Sequence, residues 1–185
     1  MGSSVLLRDA ADEDSNAIRA ITLAAYAQYE KAMPETVWAG FSRQLSATLN
    51  GDTPAQRIVA EEAGSVVGSV YLYPADANAY AGAAAGMGCP EVRLLAVRPE
   101  MRGRGIARAL MEECATRARR AGASALGLHT TAVMRDAIRL YERMRYVRVP
   151  EFDFTPPVGG VLVTAYRLDL QATVDGSSTG PHGRP

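Results

Sequence analysis

The sequence predicts a mixed α/β fold of the α+β kind, one sheet flanked by helices. Three observations lead there. Apolar periodicity switches between the two secondary-structure repeats in the order β-α-α-β-β-β-α-β-α-β-β. Antiparallel hairpins flank a parallel strand–helix–strand unit, which excludes a doubly wound sheet. Inside that unit a glycine-rich run joins the strand to the helix.

Each element has its own signal. Val5 to Arg8 is a short apolar edge strand. Asp12, Glu13 and Asp14 then place acids at a helix N-terminus, where the dipole favours them, and Ile18, Ile21, Ala25 and Tyr29 continue as a helical stripe. After Pro34, the stripe Val37, Phe41, Leu45 and Leu49 runs to a stop at Asn50-Gly51. Arg57 to Glu61 and Ser65 to Tyr73 are β-rich, and Ala63-Gly64 between them reads as a hairpin turn. Pro74 to Pro90, rich in Ala and Gly, is a long loop. Val92 to Val97 is an apolar strand, followed after the glycine-rich run by a helix through Ala121 that stops at Gly122. Ala125 to His129 is a strand, Ala132 to Arg145 a helix, and Tyr146 to Phe154 and Val161 to Leu170 two final strands. One domain over residues 5–170 follows, with residues 171–185, rich in Ser, Gly, Pro and Thr, as a disordered tail.

Composition excludes several function classes. The 185 residues carry 20 basic and 20 acidic side chains, so a broadly basic nucleic-acid binder is excluded. No apolar run approaches the ~20 residues that span a bilayer, so no membrane partner is expected. Cys89 and Cys114 make neither a C-x-x-C pair nor a zinc-ligand pattern, and no metal is expected. Free thiols and a cytoplasmic location follow, because the polar start Met1-Gly2-Ser3-Ser4 carries no export signal. Cys114 shares a helical face with Ile106 and Leu110 and reads as core. The neutral total hides a polarity: Glu91 to Arg148 holds thirteen arginines against six acids, and the rest of the chain carries the opposite excess.

The run Arg102-Gly103-Arg104-Gly105-Ile106-Ala107 is the strongest local signal. A Walker loop fails for want of its lysine, since Lys31 is the only one. A dinucleotide fingerprint fails because Arg108 stands where Gly or Ala is needed. The pattern [QR]-x-x-G-x-[GA] is met by Arg102, Gly105 and Ala107. The first amides of a helix have no intrahelical partner, and a pyrophosphate set against them gains hydrogen bonds and the dipole's positive end. The plainer alternative is a tight turn that needs glycine.

With its surroundings, EVRLLAVRPEMRGRGIARALMEECATRARRAG resembles the acetyl-CoA site of the GNAT superfamily of N-acetyltransferases, and AIRLYERMRYVRV is similar to its a-x-x-L-Y-e-x-x-G-F stretch. Element order agrees from Val5 to Leu170. The resemblance implies a strongly twisted mixed sheet whose central strands splay apart around the pantetheine arm. It implies acetyl-CoA as co-substrate. The strand around Leu95, Ala96 and Val97 would bind the arm, and Gly103, Arg104, Gly105, Ile106 and Ala107 the pyrophosphate, with Arg102 opening the pattern. Two positions depart from it: Arg145 replaces the usual glycine, and Met134 stands where many members carry a cofactor-touching asparagine.

Acetyl transfer to an amine poses two proton problems. An alkyl amine with pKa ~10.4 lies about 3.4 units, roughly 4.6 kcal/mol, from its neutral form at pH 7. The departing thiolate must also be protonated or stabilised. The resemblance assigns the second task to Tyr141 as general acid, against a reading as a core tyrosine. Glu91, at the start of its strand, suits the first task, against a reading as a solvated strand-end carboxylate. His129 ends a strand near where an acceptor would lie, or is a hydrogen-bonded structural histidine.

Tyr26, Tyr29, Glu30, Met33 and Trp38 cluster around the first helix pair, which the family uses for the acceptor; plain helix packing accounts for Tyr26 and Trp38 equally well. The expectation is an N-acetyltransferase acting by direct transfer in a ternary complex on a small-molecule or peptide amine. It would work as a monomer or homodimer. A non-catalytic acyl-CoA-binding sensor or structural module on the same fold is the alternative.

Overall fold

The computed structural model describes residues 4–75, 77, 86–156 and 161–171. The elements run β1 (Leu6–Asp9), α1 (Ser15–Tyr26), α2 (Glu35–Asn50), β2 (Gln56–Glu62), β3 (Ser65–Tyr73), β4 (Glu91–Val97), α3 (Ile106–Arg120), β5 (Ala125–Thr131), α4 (Arg135–Arg143), β6 (Val147–Arg148) and β7 (Val163–Asp169). Seven strands form one sheet in the order β1-β2-β3-β4-β5-β7-β6. Its one parallel pair, among the described residues, is β4 with β5.

Side-chain alternation sorts the sheet's residues between two helical layers. On one face α3 buries Ile106, Leu110, Met111, Cys114, Ala115 and Ala118 against Ile58, Val70, Leu72, Val92, Leu126 and Leu128. On the other face α1 buries Ile18, Ile21 and Ala25 against Val59, Val66, Tyr71, Tyr73 and Ala96. Gly68 sets how closely α3 approaches: a Cβ there would stand 3.1 Å from both Ala96 O and Ile106 Cγ2. The β2–β3 turn is Ala63-Gly64, with φ +50° and +75°, the left-handed pair that suits a two-residue hairpin.

Two irregularities in β4 shape the middle of the sheet. Ser69 pairs with Ala96 and Tyr71 with Arg93, so Val70 opposes both Leu94 and Leu95 in a β-bulge. Leu94 takes φ +54°, a conformation that costs a side-chain-bearing residue roughly 1–2 kcal/mol. The parallel ladder to β5 holds only Glu91↔Gly127 and Val92↔Leu128, so the two strands part beyond Val92.

Some expected boundaries move. The stripe expected to run through Tyr29 leaves α1 at Tyr26 and continues as a 3-10 turn over Ala27–Ala32. β5 extends to Thr131, and a turn closed by Met134 N donating to Thr131 O delays α4 until Arg135. Its other end stops at Arg143, with Arg145 at φ +65°. The strand expected from Tyr146 to Phe154 shrinks to Val147–Arg148. There Pro150 opens a 3-10 turn, and Asp153 takes over the sheet edge by accepting from Ala165 N at 2.8 Å and from both Arg148 Nη groups at 2.9 and 2.7 Å. Of the loop from Pro74 to Pro90, residues 76 and 78–85 lie outside the described residues, and so does the expected tail beyond Gln171. No helix among the described residues is long and apolar enough to cross a membrane.

Candidate active site

Where β4 and β5 part, a cleft of about 560 Å³ opens. Its walls come from four places: the end of α1 and the turn after it, Leu95 to Val97 of β4, the turn into α3, and α4. Leu95, Ala96 and Val97 carry no ladder to β5 among the described residues, so one edge of β4 faces the cleft.

The turn is built to present amides. Gly103 and Gly105 take φ +75° and +81°. A Cβ at either would meet nothing within 4 Å, so the backbone conformation, rather than crowding, requires glycine. Among the described residues, no hydrogen bond uses the N–H groups from Gly103 to Arg108, and α3 begins there with its dipole directed at the cleft.

The arginines around the turn divide their work. Arg102 donates to Gln28 Oε1 at 3.0 Å and to Ala25 O at 3.2 Å, which fastens the turn to the end of α1. Arg104 pairs through its fork with Glu62 of β2, with Nη1 at 2.9 Å, and its side chain lies outside the cleft lining. Arg108 lines the cleft and pairs with Glu112 one turn along α3 at 2.7 Å.

Tyr141 stands in the cleft wall, 7% exposed. Burial, then the neighbouring Tyr146 and Tyr29, push its phenol well above the ordinary range, so it stays protonated at any working pH. Tyr26 and Tyr29 line the same cleft, edge to face with ring centroids 5.9 Å apart. Phe41 stacks on Tyr26 at 5.8 Å, and Trp38 stands behind Phe41, away from the cleft lining. Met134 and Ala107 also line the cleft.

Glu91 and His129 come together elsewhere, beside the short parallel-paired part of β4 and β5. His129 Nδ1 lies 2.9 Å from Glu91 Oε1, and Nε2 lies 3.1 Å from Phe152 O. Arg93 forks onto both Glu91 oxygens at 3.1 Å and stacks its guanidinium 4.2 Å above the Tyr73 ring. Glu91 is thus buried rather than solvated. Burial alone would raise its pKa, but His129 and Arg93 outweigh it, and the carboxyl is held below the usual range. Neither Glu91 nor His129 lines the cleft. Arg93 escaped the sequence reading, although its spacing of two from Glu91 puts both on one face of a strand. The bulge at Leu94 had no sequence signal.

Among the described residues no three His, Cys, Asp or Glu side chains gather to hold a metal ion. A parted parallel pair, a helix N-terminus offering free amides and a buried phenol meet in one cleft. The model of the Acetyltransferase (GNAT) family matches residues 16–146, and the chain belongs to that family.

Solved structures share the fold at low identity. A GCN5-related N-acetyltransferase from Rhodopseudomonas palustris superposes with TM-score 0.66 at 21% identity, covering 91% of this chain and 98% of its own. The ribosomal-protein-S18-alanine N-acetyltransferase of Escherichia coli gives 0.63 at 16%, covering 94% and 99%. A GNAT family acetyltransferase from Brucella melitensis, solved in complex with acetyl-CoA, gives 0.54 at 23%, covering 79% and 84%. No curated protein matches the chain.

Proposed function

We propose that the protein is an acetyl-CoA-dependent N-acetyltransferase that moves the acetyl group directly to an amine. One observation carries the reading: the unladdered edge of β4, the free amides at the start of α3 and the Tyr141 side chain all face one cleft. The amides from Gly103 to Ala107 hold the pyrophosphate, with Ile106 starting the helix behind them. The backbone of Leu95 and Val97, on either side of Ala96, holds the pantetheine arm as a neighbouring strand would. That acetyl-CoA is bound in a relative of the same fold supports this.

In the transfer, the C–N bond forms as the C–S bond breaks. Tyr141 gives its phenolic proton to the departing sulfur. Burial raises a phenol and a nearby thiol in the same direction, so their match survives desolvation. The proton lost by the amine passes to water; Glu91 stands outside the cleft lining, so taking that proton up there would need a relay of further waters. Tyr26 and Tyr29 give the acceptor side an aromatic wall suited to an amine with an apolar body.

Acetyl-CoA at ~100 times its Kd should stabilise the protein by ~2.7 kcal/mol, read as a thermal shift. Thiol release across an amine library should then reveal a turned-over acceptor, and Tyr141→Phe should lower kcat by about 10²-fold or more while the thermal shift persists. No shift at saturating acetyl-CoA would overturn the reading. A shift without turnover of any amine would favour a non-catalytic acyl-CoA-binding module.

A further inference from the structure

Tyr26 and Tyr29 make an aromatic corner of the cleft, backed by Phe41. A fixed positive charge stands beside it. Arg102 donates to Gln28 Oε1 at 3.0 Å and to Ala25 O at 3.2 Å, and it acts on Tyr29 electrostatically. Both of its acceptors are neutral, so neither cancels the guanidinium. The rest of the lining leans the same way. Arg108, Arg139 and Arg143 stand against one carboxylate, Asp136, among the described residues. The Asp136 side chain is 89% exposed and meets Arg139 Nη1 at 3.2 Å. An ammonium at this corner is therefore disfavoured by charge, whereas an uncharged ring gains aromatic contact.

The protons point the same way. The cleft offers Tyr141 as a donor. The buried carboxylate of Glu91 lies outside the lining and already accepts from Arg93 twice and contacts His129. Transfer to an uncharged amine balances with a single acid. As the C–N bond forms and the C–S bond breaks, Tyr141 gives its proton to sulfur. The nitrogen, now acylated and positively charged, is strongly acidic, and its proton restores the phenol through water. No proton is left over. An alkylammonium brings one proton more, which must leave before attack. With a pKa of ~10.4, only about one alkyl amine in 2,500 has lost it at pH 7.

We propose that the acceptor is a weakly basic aromatic amine, uncharged at neutral pH, whose ring lies against Tyr26 and Tyr29. Conjugation of the nitrogen lone pair with the ring keeps such an amine unprotonated. The proposal rests on the acetyltransferase reading and narrows its acceptor. The cleft then selects the acceptor by the protonation state of its nitrogen and by the flatness of its body.

The test follows thiol release from acetyl-CoA with two acceptors of similar size, aniline and benzylamine, over about pH 6.5 to 9. At pH 7 the wild type should show kcat/KM about tenfold or more higher for aniline. The aniline profile should be flat, and that of benzylamine should climb nearly tenfold per pH unit as its neutral fraction grows. Tyr29→Leu should raise KM for aniline about fivefold with kcat nearly kept. The wild-type profiles stand whether or not that variant folds. Preference for benzylamine at pH 7, a benzylamine profile level with pH, or an unchanged aniline KM in folded Tyr29→Leu overturns the proposal and leaves the acetyltransferase reading standing. So does turnover of alkyl or peptide amines alone. No turnover of any amine overturns both.

Discussion

The His129 ring bridges two strands and a loop: Nδ1 meets Glu91 Oε1 at 2.9 Å, and Nε2 meets the Phe152 carbonyl at 3.1 Å. A carbonyl can only accept, so Nε2 is the donor of its contact with Phe152 O. Arg93 closes the cluster from the other side.

That cluster makes Glu91 a stability element. Its side chain is 8% exposed and that of Arg93 12%, so removing the carboxylate takes the ionic partner from a largely buried guanidinium. Glu91→Gln should cost about 3 kcal/mol in urea unfolding at pH 7. Because the folded-state pKa lies below the ordinary 4.5, the contribution is present above that value and is lost as pH falls through the folded pKa. The wild type should therefore lose stability steeply below about pH 4.5, and Glu91→Gln should show a shallower fall over the same range. Equal slopes would show that the carboxylate carries no native-state preference for ionisation.

Two glycines should fail for different reasons. Gly105→Ala forces a Cβ into the left-handed region with nothing to collide with, at a cost of about 1 kcal/mol. Gly68→Ala keeps an ordinary backbone but drives a methyl between Ala96 O, Ile106 and Leu110, costing about 1–3 kcal/mol. Denaturant midpoints measure both. On the proposed function, only the first site sits on the ligand's path, and a crystal structure of Gly68→Ala should show α3 displaced from the sheet.

Arg102 and Arg104 should separate cleanly in ligand binding. Arg102→Ala releases the turn from Ala25 and Gln28 and should weaken acetyl-CoA about tenfold by calorimetry. Arg104→Ala removes a guanidinium committed to Glu62 and should change the Kd by less than about twofold, at a stability cost of ~1 kcal/mol or less. The reverse order would mean that the phosphates draw on side-chain charge at Arg104 rather than on turn geometry.

Both cysteines should be inert in the folded chain. Burial pushes the Cys114 thiol up to about 12 and raises that of Cys89. Ellman's reagent at pH 8 should label neither on the timescale of minutes, and both promptly in denaturant. Rapid labelling of either thiol in the native protein would contradict its placement in the core.

Local signals read well from the sequence. The Ala63-Gly64 hairpin, the Arg102 to Ala107 turn and the buried face through Ile106, Leu110 and Cys114 each follow from a few adjacent residues. What stayed hidden depends on residues distant along the chain. The ring of His129 and the carboxylate of Glu91 are 38 positions apart, and no pattern in either neighbourhood announces their contact. β6 is short because Arg148 and Asp153 staple an irregular edge across Pro150, which apolar periodicity cannot register.

The parted ladder between β4 and β5 has a mechanical consequence. Four strands on one side and three on the other share two rungs of hydrogen bonds, with α3 packed across the gap on Val92, Val97, Leu126 and Leu128. The sheet is therefore two leaves joined at their seam by few rungs and by the helix packed across them. Anything that hydrogen-bonds along the seam adds rungs to it. Catalytic occupancy and the cohesion of the two leaves would then be one quantity, visible as slowed amide exchange on both sides of the seam at once.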